Sequence, residues 1–221
     1  MSGRHPTVTI IDYGSGNLLS VARALEHIGA STRLSHDPAE IEAAEHLLLP
    51  GVGAFEEGMQ GLRERGLIEP IRRYAASNRP LLGICLGMQM LASVGEEFGE
   101  HAGLGLIPGR VVPIPEFDIN GSKQKIPHIG WADLSPATPD CWVGTMFEDA
   151  REGMSAYLVH SFHFIPTDPA HRLADCFYGG HRIAAAVRVG HTIGCQFHPE
   201  KSGKTGLTLL AGFLRMSGVP G

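Results

Sequence analysis

Val8, Ile10 and Ile11 form a short apolar run around Thr9, and Leu18, Val21, Ala22, Leu25 and Ile28 then recur at helical spacing until Gly29 stops the pattern. This predicts a buried strand, a glycine-rich turn and a helix, because side chains three and four positions apart share one face of a helix. Asp37-Pro38-Ala39-Glu40 reads as a helix start, with Asp37 as the cap, Pro38 in the first turn and Glu40 in the capping-box position. Leu47, Leu48 and Leu49 predict a short strand ending at Pro50; a further helix begins near Ala54, another ends near Ser77, and residues 81–84 form the next strand. Strands alternating with helices predict a parallel sheet covered on both faces, with functional groups at the carboxyl ends of the strands. Gly51 and Cys85 both lie at such ends.

The second half changes character. Short β-rich runs at 111–114, 156–160, 173–178, 183–189 and 192–197 are separated by proline and glycine turns, among them Tyr178-Gly179-Gly180-His181. Hairpins that add antiparallel strands to the sheet are expected there, and a last helix, about 204–216, closes the chain. With no internal repeat and no linker-like stretch, the expectation is one α/β domain over residues 1–221, largely parallel in its central sheet, with helices on both faces and antiparallel strands in the C-terminal half.

The chemistry begins at Gly83-Ile84-Cys85-Leu86-Gly87, which follows the apolar pair Leu81-Leu82 and precedes a helical pattern at Met88, Leu91 and Ala92. This is a nucleophile elbow with sulfur in place of oxygen: the glycines allow the turn to tighten, and the helix N-terminus favours a thiolate. Near the other end, Gly194-Cys195-Gln196-Phe197 reads as a buried strand running into His198-Pro199-Glu200. Residues two apart in an extended segment point the same way, and Pro199 is expected to keep the backbone extended, so His198 and Glu200 share a face as base and orienter. A buried core thiol and an edge-strand ion pair would account for these residues taken one at a time. Together they read as Cys85, His198 and Glu200 of an acyl-transfer site.

Composition narrows the setting. The hydrophobic fraction of 43% supports one core in 221 residues, and a net charge of −5 without a basic run argues against a nucleic-acid surface. No apolar stretch approaches the roughly 18 residues of a membrane span. Residues 1–6 are short and polar and lead into the first strand, so no signal peptide is expected. The four cysteines, 85, 141, 176 and 195, show no metal or disulfide-framework spacing and suit a reducing cytoplasm. The twelve histidines show no ligand spacing, so neither a catalytic metal nor a cofactor is expected, and His5, His46 and His101 read as surface histidines.

The elbow and the distant His-Pro-Glu resemble the class I (triad) glutamine amidotransferases. Further segments narrow the resemblance to the glutaminase subunits of imidazole-glycerol-phosphate synthase: Asp12-Tyr13-Gly14-Ser15-Gly16-Asn17, Leu49-Pro50-Gly51-Val52-Gly53, Cys85-Leu86-Gly87-Met88-Gln89, Gly103-Leu104-Gly105-Leu106-Ile107-Pro108-Gly109, Pro127-His128-Ile129-Gly130-Trp131 and Gln196-Phe197-His198-Pro199-Glu200-Lys201. The resemblance runs from about Val8 to Leu214 with the motifs in the family's order. It implies a flavodoxin-like domain, L-glutamine as substrate, no cofactor, and a separate (β/α)8-barrel cyclase subunit that receives ammonia within a heterodimer of histidine biosynthesis. It further implies an oxyanion hole from the Val52 and Leu86 backbone. Substrate contacts are implied from Gly51, Gly53 and Gln89, from Glu97 near the α-amino group, and from the backbone of Ser161 and Phe162. Tyr157-Leu158-Val159-His160-Ser161-Phe162 departs from the family's Tyr-x-x-His-Ser-Tyr by its last residue. Trp131, Tyr157 and Lys201 are the implied interface, with Tyr157 at the gate. The same chemistry would serve a glutaminase feeding another acceptor synthase, or a stand-alone γ-glutamyl cysteine hydrolase.

Two motifs are set aside. Ser202-Gly203-Lys204-Thr205 ends like a phosphate-binding loop, but His198 stands where that motif needs its first glycine. Gly14-Ser15-Gly16 begins a dinucleotide fingerprint whose third glycine would fall at Leu19, so a tight turn is predicted.

Overall fold

The computed structural model describes residues 5–217; the first four residues of the polar lead that argues against a signal peptide lie outside them. The first half alternates as expected: β1 (Thr7–Ile11), α1 (Leu18–His27), β2 (Ser31–Ser35), α2 (Pro38–Glu42), β3 (His46–Leu49), α3 (Phe55–Glu64), α4 (Ile68–Ala76), β4 (Leu81–Ile84) and α5 (Leu86–Met90). Short strands follow, β5 (Val94–Gly95), β6 (His101–Ala102), β7 (Gly109–Pro113), β8 (His128–Asp133), β9 (Ser135–Pro136), β10 (Ser155–His160) and β11 (Phe162–Pro166), and then β12 (Arg172–Tyr178), β13 (His181–Val189), β14 (Thr192–Cys195) and α6 (Gly203–Arg215).

The central sheet has the order β2-β1-β3-β4-β14-β13-β12-β9. Strands β2, β1, β3, β4 and β14 run parallel, and β13, β12 and β9 extend the sheet by antiparallel pairing. Tyr178 pairs with His181 across a two-residue loop whose Gly179 and Gly180 both have positive φ, 55° and 78°. That is the primed turn that matches strand twist and that glycine enters at no steric cost.

The period of two decides what each strand residue covers. Ile10, Leu48, Leu82 and Ile84 pack under α1 and α6 with Val21, Leu25, Leu209 and Phe213, whereas Ile11, Leu47, Leu49 and Leu81 face α3, α4 and α5 with Met59, Leu62 and Ile71.

Two local expectations are corrected. Asp37 caps α2 by accepting from Ala39 N at 2.8 Å, but Glu40 does not close a capping box: Asp37 N donates to Ser35 Oγ, and Glu40 pairs with Arg33 at 2.8 Å. His46 is not a surface histidine. It begins buried strand β3, its Nε2 lies 2.9 Å from Met216 O, and Phe213 of α6 packs edge-on against its ring. Burial lowers its pKa below the ordinary value, so it is a neutral anchor for the chain's last helix.

Candidate active site

Cys85 stands between β4 and α5 with φ 54° and ψ −111°, a sparsely populated conformation for a residue with a side chain. The neighbouring glycines permit it by close approach. A Cβ on Gly87 would lie 1.9 Å from Leu49 O, and one on Gly83 would lie 2.7 Å from Gly87 O. The Cys85 N–H donates to Cys195 O at 2.8 Å, tying the elbow to the strand that leads to His198.

His198 and Glu200 do come together, but not along an extended backbone. Proline's fixed φ also suits the first position of a helical turn, and Pro199–Lys201 forms one turn of 3-10 helix. That turn folds the two side chains toward each other, with His198 Nδ1 2.9 Å from Glu200 Oε1. The turn is pinned on several sides. Ser202 Oγ donates to His198 O at 2.7 Å, the Tyr157 N–H donates to Ser202 Oγ at 3.0 Å, and the His198 N–H donates to Tyr157 O at 2.9 Å. Helix α6 lies so close that a Cβ on Gly206 would meet Pro199 O at 1.8 Å.

Both side chains of the pair are buried. Burial alone would disfavour the imidazolium, but hydrogen bonds to Cys85 and Glu200 outweigh it and raise the His198 pKa to about 9. Because Nδ1 faces the carboxylate, Nε2 is the nitrogen left for the sulfur. Asn17 Nδ2 also donates to Glu200 Oε1, at 3.3 Å, and holds the carboxylate from the β1–α1 turn. In that turn Gly14 and Gly16 have φ of 94° and 124°, the tight turn expected there.

Cys85 and His198 open into a cavity of about 300 Å³ lined also by Val52, Gly53, Leu86, Gln89, Glu97, Ser161 and Phe162, together with Pro127, Val159 and His160. Gly51 is not among its walls: it packs behind the elbow, where a Cβ would meet Tyr13 Oη at 2.6 Å and Gly87 N at 2.9 Å. Ser15 Oγ donates to Val52 O at 2.8 Å and fixes that peptide. Leu86 begins α5, so its N–H has no carbonyl within the helix to receive it. Glu97 Oε2 accepts from Phe55 N at 2.8 Å and caps α3 while lining the cavity. Trp131, Tyr157 and Lys201 lie outside the cavity. Trp131 and Tyr157 are cross-strand partners on β8 and β10 with ring centroids 6.0 Å apart, and Lys201 is exposed at the end of the 3-10 turn.

Gln89 lines the cavity, but only half of its amide is free to meet a ligand. Its amide nitrogen is already engaged, donating to Phe162 O at 3.2 Å and to Gln196 Oε1 at 3.0 Å. Sequence reasoning gave Gln196 no role, although a polar residue inside the apolar run 192–197 was the available signal. Asn17 carried no signal, because its partner is 183 residues away.

A thiol, an imidazole and a carboxylate thus converge at the carboxyl end of a largely parallel sheet, and the family model described as glutamine amidotransferase class-I matches residues 9–216. The chain belongs to that family. It is 50% identical over 211 residues to imidazole glycerol phosphate synthase subunit HisH 1 of Legionella pneumophila (strain Lens), covering 95% of this chain and 99% of that protein. Against the HisH subunit of Syntrophotalea carbinolica it is 44% identical over 207 residues, covering 93% and 98%. Within the family it falls among the glutaminase subunits of imidazole glycerol phosphate synthase. A solved structure of PurLQS from Thermotoga maritima shares the fold, with a TM-score of 0.72 at 19% identity over 96% of this chain and 98% of that one.

Proposed function

We propose that this chain, as one domain, hydrolyses L-glutamine at Cys85 and passes the ammonia to a cyclase subunit. The observation that carries the reading is Cys85 and His198 opening together into one cavity, with Glu200 on the far side of the imidazole. The Cys85 thiolate, its proton held on His198 Nε2, attacks the carboxamide carbon. The oxygen takes the negative charge against the Val52 and Leu86 N–H groups. His198 then protonates the departing ammonia, leaving a γ-glutamyl thioester. Water, losing a proton to His198, attacks that thioester and releases glutamate and the thiol. Ser161 and Phe162 hold the substrate carboxylate through N–H groups, since their carbonyls are engaged with Ile114 N and with Gln89 and His160. Gly53 gives the approach on the oxyanion side, Glu97 meets the α-amino group, and Gln89 presents its amide oxygen.

Ammonia in water is mostly protonated and non-nucleophilic, so a dry interface is needed to deliver it. Ile129 and Trp131, 54% and 58% exposed, lie two apart on β8, and their cross-strand partners are Val159, which lines the cavity, and Tyr157. This apolar face leads away from the site and is the docking surface for the (β/α)8-barrel cyclase subunit, with Lys201 at its margin and Tyr157 at the gate. There the ammonia yields imidazole glycerol phosphate and an aminoimidazole carboxamide ribotide in histidine biosynthesis. No helix among the described residues is long and apolar enough to cross a membrane, and the four free cysteines suit the cytoplasm. The test is Cys85→Ala: glutamine-dependent synthesis by the complex is lost and ammonia-dependent synthesis is retained. Loss of both would refute the division of labour.

A further inference from the structure

Gln196 is fully buried, and its amide nitrogen lies 3.8 Å from Cys85 Sγ, within hydrogen-bonding reach of a sulfur. Which way that amide faces is decided by a chain of partners that begins far from the thiol. Phe162 O, a carbonyl, can only accept. It faces His160 Nδ1 at 2.9 Å and Gln89 Nε2 at 3.2 Å, so both of those atoms carry a proton. Burial lowers the His160 pKa to about 4 and lowers that of His128 as well, so both rings are neutral near neutral pH. His160 Nε2 is then bare, and His128 Nδ1, 3.1 Å away, must donate to it. From Gln89 the second amide proton goes to Gln196 Oε1 at 3.0 Å. With its oxygen engaged, Gln196 has only its NH2 to present to the sulfur. Turning either amide over would set oxygen against oxygen at Phe162 and oxygen against the thiolate at Cys85.

We propose that Gln196 is a further catalytic residue, whose amide N–H donates to the Cys85 thiolate and is held in that orientation by Gln89, Phe162, His160 and His128. The chain has a consequence for substrate binding as well: the same Phe162 carbonyl belongs to the segment proposed to receive the substrate carboxylate, so nucleophile and cradle are fixed by one set of hydrogen bonds. The other titratable groups around the sulfur are His198, Glu200, Tyr13 and Cys195, with Glu97 and His160 on the cavity wall. Burial pushes the Tyr13 and Cys195 pKa values up, so both stay neutral and neither adds a charge beside the sulfur.

The inference rests on Cys85 being the nucleophile, and the experiment separates the two. Alkylation by iodoacetamide is followed at Cys85 by mass spectrometry between pH 5 and 10, for the native protein, Gln196→Met and Gln196→Glu, each checked for cooperative melting. Methionine removes the donor at similar length; glutamate keeps an acceptor for Gln89 and sets a carboxyl against the sulfur. A hydrogen bond to a charged group corresponds to about 1 pH unit or more, so the pH of half-maximal alkylation should rise by about that amount in Gln196→Met and further in Gln196→Glu. Glutamine turnover should fall about tenfold or more in kcat with KM within about threefold. As a readout that needs no variant, the Gln196 side-chain amide proton resonance of the native protein should move with the Cys85 titration. An unchanged half-maximal pH with reduced melting temperature, or an amide resonance indifferent to that titration, would overturn the role of Gln196 and leave the nucleophile intact. Absence of alkylation at Cys85 across this range in the native protein would overturn both.

Discussion

At the scale of single residues, the proposed site depends on a protonated His198 held between Glu200 and the Cys85 sulfur. Glu200 accepts from His198 Nδ1 at 2.9 Å and the sulfur takes the other nitrogen, and together they lift the imidazole from its ordinary 6.5 to about 9 against the cost of burial. A raised histidine pKa adds stability that is fully present below about pH 6.5 and is withdrawn as pH climbs through about 9. The thermal midpoint should therefore fall over that window in the native protein and fall less in Glu200→Gln, where the partner charge is gone. The same substitution should lower kcat by about two to four orders of magnitude with little change in KM, since Glu200 acts on the imidazole and not on glutamine. Thermal melting across pH checks the first and steady-state kinetics the second; a change confined to KM would place Glu200 in the substrate pocket. The triad residues were legible in the sequence because each sits in a local signal, a glycine-flanked turn or an i, i+2 pair. The partners that orient them were not: Asn17 and Gln196 reach Glu200 and Cys85 across 183 and 111 residues.

At the scale of elements, three joints set the distance between sulfur and imidazole: the elbow between β4 and α5, the bond from Cys85 N to Cys195 O, and the seat of α6 on the Pro199–Lys201 turn. Gly206 fills the last of these. Adding a Cβ 1.8 Å from Pro199 O must push α6 or the turn aside, so Gly206→Ala should destabilise by about 1–3 kcal/mol, as overpacking does, and should lower turnover by more than that loss of stability explains. Denaturant unfolding beside glutamate release measures the two; native turnover in a folded Gly206→Ala protein would show that the turn tolerates displacement. Much at this scale was legible, because apolar periodicity marks β1, α1 and β4 and the paired glycines mark the β12–β13 hairpin. Strand β2 was missed because Ser31–Ser35 is a polar, mostly exposed edge strand, β8 because Gly130 interrupts its pattern, and β11 because its buried positions do not alternate cleanly. The turn at Pro199 was misread for a related reason: proline's φ is compatible with both an extended segment and the start of a helical turn, and only the packing of α6 selects between them.

At the scale of the whole molecule, a cavity of about 300 Å³ at the carboxyl ends of the parallel strands opens beside an apolar face on β8 and β10. The chain's acidic balance and family membership accord with a small-molecule enzyme subunit, and the exposed Ile129 and Trp131 form the surface proposed for the cyclase. The central claim is that this chain is the ammonia-producing half of a two-subunit enzyme. Glutamate release from L-glutamine, by the chain alone and then with the barrel subunit and its nucleotide ligand, tests it most directly. The account predicts slow release alone and a large rise, of about two orders of magnitude or more, when both are added, the scale of effect expected when an oxyanion donor is completed. Equal rates with and without the partner would contradict it.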